Sequence, residues 1–477
     1  MRIGVVGAGL AGLGAARRAL ELGSRVEIFE EQETVGGLAS SLRAAGLAFD
    51  LGPHTLYARE PEVLRDLEDL LGTVLRPVRP TRGIWRDGRL YRFPFHLGDF
   101  ARVAGPLRAA PPLLAYLAAR AGGWMADRIG RADPVDLETW AVRGLGRPLY
   151  AFFVLDHVTK NIGLPPSRLP ALWGRQRIAV PRLGTGLAQL AGREEEAPAS
   201  RYPEGGIGRI AAALADRVAQ DGGLVRTGAR LVSWARAAGH IVLRADTRDG
   251  PVVRTVDSVV NTGPVGTFLL GADTGTVPEP VRAAAARLRH RATVFVYTST
   301  RGVPADLPRD LLYFPGKQVF SRAYTPRGYA GGPAGGAPAG HCFEIHCDPG
   351  DELWDAPDGE LGARVLRDAA RLPFLGDRAR LRVERIVRIR RHYPLSEPGS
   401  AELRAVEHHL DRAAPHVVSA GRLGSHRYVN MDSALRMGAL AAEVAHGRRP
   451  PGEIRRVADD PAFVEGGGRG RCGGRGR

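Results

Sequence analysis

Lysine is nearly missing from this 477-residue chain. Only Lys160 and Lys317 occur, so arginine supplies 65 of the 67 basic residues. Beside 62 glycines and 35 prolines, that is a compositional bias toward a few residue types. The formal net charge of +16 therefore does not imply a nucleic-acid partner, because the arginines are dispersed except at the C-terminal end. Cysteine is scarce as well. Cys342 and Cys347 flank a predicted strand segment, and five residues apart they face opposite sides of it. That argues against a shared metal site, and with only Cys472 besides there is no disulfide framework. No metal is expected elsewhere. Long apolar runs are also absent, which excludes a membrane-spanning helix. The most apolar helical stretch, residues 107–121, is expected to be a domain helix or a substrate-channel wall, with a monotopic membrane contact as the alternative. A strand beginning at residue 2 leaves no secretory leader, so a cytoplasmic location is expected.

What is present is concentrated at the N-terminus. Residues 2–6 are an apolar run suited to a buried parallel strand. Gly7-Ala8-Gly9-Leu10-Ala11-Gly12 follows at once, and residues 13–22 have helical character. Gly23 stops the helix, and residues 26–29 form a second strand ending at Glu30, with Glu31 next. Gly7 permits the tight turn, Gly9 lets a pyrophosphate approach the backbone, and Gly12 lets helix and strand pack closely. The helix N-terminus at Leu10 and Ala11 offers amides and partial positive charge to phosphate. Glu30, 18 residues past Gly12, is placed to accept both ribose hydroxyls of an adenosine. An acid there argues against a 2′-phosphate, hence against NADP.

A second glycine pair, Gly36-Gly37, precedes Leu38 and gives phosphate another backbone approach, with Ser40 and Ser41 as hydroxyl donors. Phe49-Asp50-Leu51-Gly52-Pro53-His54 then forces a rigid bend at Gly52-Pro53. The double use of glycine is what an extended FAD needs and a nicotinamide cofactor does not.

On these motifs the chain resembles the glutathione-reductase-type flavoproteins, and more narrowly the superfamily of flavin amine oxidases, protoporphyrinogen oxidase and UDP-galactopyranose mutase. The segment around residues 146–178 resembles a helical motif of those relatives through Leu149, Tyr150, Phe152, Lys160, Gly163, Trp173 and Arg177. It departs at His157 and Ile162, where the relatives carry Tyr and Trp. Tyr202-Pro203-Glu204-Gly205-Gly206-Ile207-Gly208 is similar to the segment that opens their second FAD-binding helix. Residues 224–234 read as a strand pair with polar turns; the strand with Leu231 and Val232 then passes the adenine, and Thr262-Gly263 ends a strand closing over the same side. Gly421-Arg422-Leu423-Gly424-Ser425-His426-Arg427-Tyr428-Val429-Asn430-Met431-Asp432 resembles their C-terminal FAD-closing motif. There Asn430, Met431 and the capping acid Asp432 open a helix at the flavin.

The resemblance implies an α/β protein: a glutathione-reductase-type FAD-binding Rossmann domain with an interleaved mixed-sheet substrate domain and a helical insertion. The expected division is residues 1–80, 200–270 and 410–447 for FAD, 81–190 for a hairpin plus helical insertion, and 271–400 for a substrate-binding sheet. Residues 448–477 are expected to be disordered, and 192–201 and 328–340 to be loops. It implies FAD as cofactor and His54, Arg322 and Tyr428 as catalytic residues. The first functional expectation is oxidation of a small-molecule C–H bond by hydride transfer to flavin. The second is a sugar-nucleotide mutase with no net redox, which His54, Arg322, Tyr393, Arg422 and Tyr428 would serve. A flavin-binding protein without turnover is the third. Lys160 is a minor candidate for a lysine near the flavin. Expected partners are a small-molecule substrate, with arginine favouring an anionic one, and no nucleic acid; a homodimer is left open.

Overall fold

The strand Arg2–Val6 is flanked by Arg25–Phe29 on one side and Ser258–Asn261 on the other, all parallel. Val417–Ser419 and Leu224–Arg226 extend the sheet to five strands, in the order Val417–Ser419, Ser258–Asn261, Arg2–Val6, Arg25–Phe29, Leu224–Arg226. Both faces are covered, so Ile3, Val5, Ile28, Val259 and Val260 are buried without polar alternation. The helices Leu10–Glu21, Gly208–Gln220 and Met431–Ala445 pack together on one face. An antiparallel sheet of Arg230–Ala237, His240–Thr247 and Gly250–Val256 lies against the other, where a Cβ on Gly4 would stand 2.5 Å from Leu243. The structure, a computed structural model, describes residues 1–57, 61–130, 132–192, 200–300, 307–326, 329, 339–375 and 381–460. Most of the two predicted loops lies outside the described residues.

A second sheet is mixed and seven-stranded. Its order is Leu381–Leu395, Arg289–Thr300, Gly340–Cys347, Arg322–Tyr324, Leu311–Tyr313, Arg82–Arg86, Arg89–Phe93. Only the pairing of Leu311–Tyr313 with Arg82–Arg86 is parallel. The predicted hairpin turns at Asp87 and Gly88, both at positive φ (52° and 72°), the backbone a two-residue type I′ turn requires. Gly340–Cys347 is buried along its whole length. Cys342 and Cys347 pack into different apolar clusters, on opposite faces of that strand. Residues 97–190 are largely helical and include the 23-residue helix Pro106–Arg128. Among the described residues, no helix is long and apolar enough to cross a membrane.

Two expectations are corrected. Residues 224–234 do not form a strand pair. Leu224–Arg226 edges the parallel sheet, while Arg230–Ala237 leaves it because Gly228 and Ala229 bond back to Gln32 and Glu30. Nor does disorder begin at residue 448. Gly452–Asp459 is a helix, with Ile454 and Ala458 buried and Arg455 bonded to both carboxylate oxygens of Asp411. The arginine-rich composition hid that apolar i, i+4 pair. Residues 461–477 lie outside the described residues.

Candidate functional site

The N-terminal turn is built around an approach that only glycine permits. Gly7 has a φ of +94°, and a Cβ on Gly12 would fall 1.9 Å from the Gly7 carbonyl oxygen. No side chain caps the helix at Gly9, and its first helical bond runs from the Leu13 amide to the Gly9 carbonyl. The amides of Leu10, Ala11 and Gly12 thus precede the helical ladder at the positive end of the helix dipole. The second glycine pair closes on the first. The Gly36 amide donates to the Ala8 carbonyl at 2.9 Å, and Gly36 bridges Gly9. A Cβ on Gly9 would meet only the Gly36 carbonyl, at 3.8 Å, so Gly9, Gly36 and Gly37 form one cradle open to a ligand.

Glu30 is buried and accepts from the amides of Ala8 (2.7 Å) and Gln32 (2.9 Å). Burial pushes its carboxyl above the usual range, and those amides oppose the shift. Each oxygen keeps a further lone pair for a ribose hydroxyl. Glu31 is exposed and Leu38 half-buried. Cradle, helix end and acid together fit an adenine dinucleotide.

The bend at residues 52–54 is fixed from beneath by Asp50. That carboxylate is buried and accepts from Ser41 Oγ (2.5 Å), Tyr202 Oη (2.7 Å) and the Ile207 amide (3.0 Å). Its backbone carbonyl accepts from Tyr297 and Tyr324. Burial holds the Asp50 carboxyl up at about 6 against those three donors. Three distant segments and the paired strand at Ser41 are thereby tied to one residue, and Gly52 (φ +96°) turns the chain two residues later. Ser41 is consumed in this node, and Ser40 Oγ donates to the Gly37 carbonyl, so neither hydroxyl is left to phosphate as expected.

The bend forms one wall of a cleft. The cleft gathers His54, Arg322, Tyr393, Arg422 and Tyr428, with Gly52, Pro53, Asn430 and Met431 beside them. Arg322 donates through Nε to Glu344 (3.1 Å) and through its other nitrogen to Glu344 and Tyr393 Oη (3.0 Å). Tyr393 and Tyr428 stack at 5.8 Å, and the Arg422 guanidinium lies 4.5 Å over Tyr428 while donating to the Val429 carbonyl. Arg177, from the helix Ala171–Arg177, sits 3.4 Å from the centroid of the same Tyr428 ring. Sequence reasoning missed Arg82, Tyr313, Tyr329 and His392, which also line the cleft. Arg82 stands in the expected hairpin and Tyr313 in a strand of the expected substrate-binding sheet, yet register alone decides which of their residues face inward.

The other cofactor candidates have structural partners. Thr262 Oγ1 donates to the Val6 carbonyl at 2.8 Å, and the Gly263 carbonyl accepts from Asn261. Leu231 is half-buried and Val232 exposed, at the start of the strand that leaves Glu30. A Cβ on Gly421 would meet Ala11 at 2.6 Å, which docks the C-terminal motif on the first helix. Asn430 is the N-cap of Met431–Ala445 without a capping side-chain bond, and buried Asp432 accepts from the Ser433 amide (2.9 Å).

Imidazoles surround Arg322 and are held neutral. Burial, then the charges of Arg422 and Arg322, pull His54 down to about 3, and burial with Arg322 and Lys160 does the same to His157. His346 and His392 are lowered for the same reasons. An unfolded imidazole titrates near 6.5, so below that pH the unfolded chain binds more protons and folding stability must fall as pH drops toward 3. Each such group contributes a slope of about 1.4 kcal/mol per pH unit. Denaturation midpoints at pH 7, 6 and 5 should show the decline, and His157→Gln should flatten it; an unchanged slope in that variant contradicts the assignment.

Lys160 is not a flavin-side lysine. Its Nζ donates to the carbonyls of Phe314 (2.7 Å), Gly316 (2.8 Å) and Phe320 (2.8 Å), so all three protons are used. Burial lowers it to about 8. Lys160→Met should cost about 2–3 kcal/mol in a denaturant melt, because three carbonyls lose a charged donor. The rate of flavin bleaching should stay within about twofold of wild type, as no redox role is removed. A large drop in that rate at unchanged stability restores the catalytic reading.

The sequence model of the flavin containing amine oxidoreductase family matches residues 10–446. Over 72 residues the chain is 40% identical to the 4,4'-diapophytoene desaturase (4,4'-diaponeurosporene-forming) of Staphylococcus aureus (strain MRSA252), a match covering 15% of this chain and 14% of the desaturase. The structure superposes on reduced UDP-galactopyranose mutase with a TM-score of 0.80, at 21% identity over 96% of both chains. It superposes on a provisionally named protoporphyrinogen oxidase from Exiguobacterium sp. 255-15 with a TM-score of 0.70, at 16% identity over 94% of this chain and 99% of that one. At such identities these two likenesses establish the shared mixed α/β fold. The chain belongs to the flavin containing amine oxidoreductase family, and its cofactor is FAD.

Proposed function

We propose that the protein oxidises an anionic, hydroxyl-rich small molecule at a C–H bond. Bound FAD supplies the hydride acceptor for that chemistry. On this reading residues 1–80, 200–270 and 410–447 form a glutathione-reductase-type cofactor domain, and residues 81–190 and 271–400 enclose the substrate. Gly9, Gly36, Gly37 and the amides of residues 10–12 hold the pyrophosphate, Glu30 holds the ribose, and Asn430 and Met431 flank the flavin. The observation that carries the reading is the charge of the cleft: Arg82, Arg322 and Arg422 line it, and no carboxylate is among its described lining residues. An ammonium substrate would be repelled there, and a neutral polyene would bury Arg82 and Arg422 without counter-charge, since Glu344 neutralises only Arg322. The Tyr393 and Tyr428 hydroxyls suit a polyol or a phosphate ester, and neutral His54, whose Nδ1–H donates to the Gly52 carbonyl at 3.1 Å, can accept one hydrogen bond at Nε2.

A second reading, a sugar-nucleotide mutase without net redox, is favoured by one specific feature. The cleft imidazoles His54 and His392 are held far below neutrality, so oxidation of an alcohol finds a poor proton acceptor in them. Anaerobic mixing separates the two. Bleaching of the yellow protein by a phosphorylated sugar or a carboxylated ring compound alone supports oxidation. Activity seen only after dithionite reduction, with pyranose and furanose forms interconverting, replaces it by the mutase. Bleaching by a simple alkylamine but by no anion would sink the anionic assignment.

A further inference from the structure

The helix Pro106–Arg128 carries an apolar face that the protein itself leaves uncovered. Its inner face is docked: Ala109 and Tyr116 are buried, and Tyr116 Oη donates to the Pro181 carbonyl at 3.0 Å. Half a turn away lie Leu107, Leu114 and Met125, spaced by near-whole turns and 92%, 66% and 52% exposed, with Leu117 and Trp124 along one flank. Of the 15 exposed large apolar residues among the described residues, five stand on this one helix. Scattered surface leucines are ordinary, but a stripe running about 27 Å along a single helix face marks an interaction surface. The substrate cleft is not what it lines, since none of its residues borders that cleft.

Charge selects the partner. The helix carries Arg108, Arg120 and Arg128 against one acid, Asp127, and residues 101–190 hold 12 basic residues against five acidic ones. Arg108 and Arg128 are exposed near the two ends of the stripe, and the Arg128 guanidinium lies 4.3 Å over the exposed Trp124 ring. A tryptophan beside arginine at the border of an apolar face suits the boundary between lipid headgroups and acyl chains. A second copy of the chain fits poorly. An antiparallel pairing of two such helices would set the Arg108 end of one against the Arg128 end of the other. We infer that this face is a monotopic docking surface for an anionic phospholipid bilayer, lying on the membrane without crossing it.

Vesicle flotation of the FAD-loaded full chain tests the assignment. Wild type should float with phosphatidylcholine vesicles containing about one-third phosphatidylglycerol, and at least about tenfold less with phosphatidylcholine alone. The double variant Leu114→Glu/Met125→Glu should lose flotation while keeping its flavin absorbance. Trp124→Ser should weaken it, and Val253→Glu, on the distant antiparallel sheet, should leave it intact. Three results overturn the inference: no wild-type binding to anionic vesicles, equal binding by the double variant, or a solution dimer that the double variant splits into monomers.

Discussion

Replacing Arg322 with alanine should cost about 3–5 kcal/mol of folding stability as well as turnover, because it strands a carboxylate. Glu344 has no exposed surface, and its Oε2 accepts both contacts from the guanidinium. Burial pushes the Glu344 carboxyl up, and Arg322 is what opposes the shift. Without the arginine the folded carboxyl would retain its proton to higher pH than an unfolded glutamate does. The folded variant then binds more protons than the unfolded chain, so its deficit must widen as pH rises and shrink in acid. Chemical denaturation of wild type and variant at pH 5 and pH 8 would show both the size and the trend. Arg322→Met/Glu344→Leu should recover most of the stability but none of the turnover, since an apolar pair needs no counter-charge and cannot bind an anion. A loss below about 1 kcal/mol in Arg322→Ala would mean that water or relaxation reaches Glu344 and that the pair is not sealed.

The glycine turn and the acid beside it were legible because their geometry is local. Gly7, Gly9, Gly12 and Glu30 sit within one strand–turn–helix–strand unit, and the backbone they require follows from sterics alone. The cleft was legible only where the family resemblance marked it, at His54, Arg322, Tyr393 and residues 421–432. Arg82, Tyr313 and His392 come from three strands of the mixed sheet, and side-chain alternation leaves each with two equally good faces until pairing is known. Lys160 misled for a related reason. Its rarity suggested chemistry, whereas its position after a helical turn aims it at three carbonyls of the segment 314–320. The helix Gly452–Asp459 was hidden because two apolar residues among arginines make a weak periodic signal, and docking beside Met431–Ala445 supplies the rest.

Gly438→Val should abolish FAD retention, although residue 438 lies in no motif read from the sequence. The helices Leu10–Glu21 and Met431–Ala445 cross in backbone contact. A Cβ on Gly438 would stand 2.0 Å from the Ala11 carbonyl oxygen and 2.9 Å from the Ala15 amide nitrogen. From the other helix, a Cβ on Gly14 would stand 2.8 Å from the Leu435 carbonyl. No side-chain rotation relieves a clash with backbone, so the helices must part, at a cost of about 3 kcal/mol or more. On the proposed reading the two helices present their N-termini to opposite ends of the cofactor: residues 10–12 to the phosphates, and Asn430 and Met431 to the flavin in the cleft. Separating them breaks the match between those ends even if each helix survives. The variant should therefore purify colourless, with a lowered melting temperature that added FAD does not restore. Gly452→Ala is the contrasting case. Its Cβ would meet nothing nearer than an Arg455 guanidinium nitrogen at 3.8 Å. At the start of a helix that change should leave flavin content unaltered and stability within about 0.5 kcal/mol. A Gly438→Val protein that retains stoichiometric flavin would show that the crossing can open without disturbing the site.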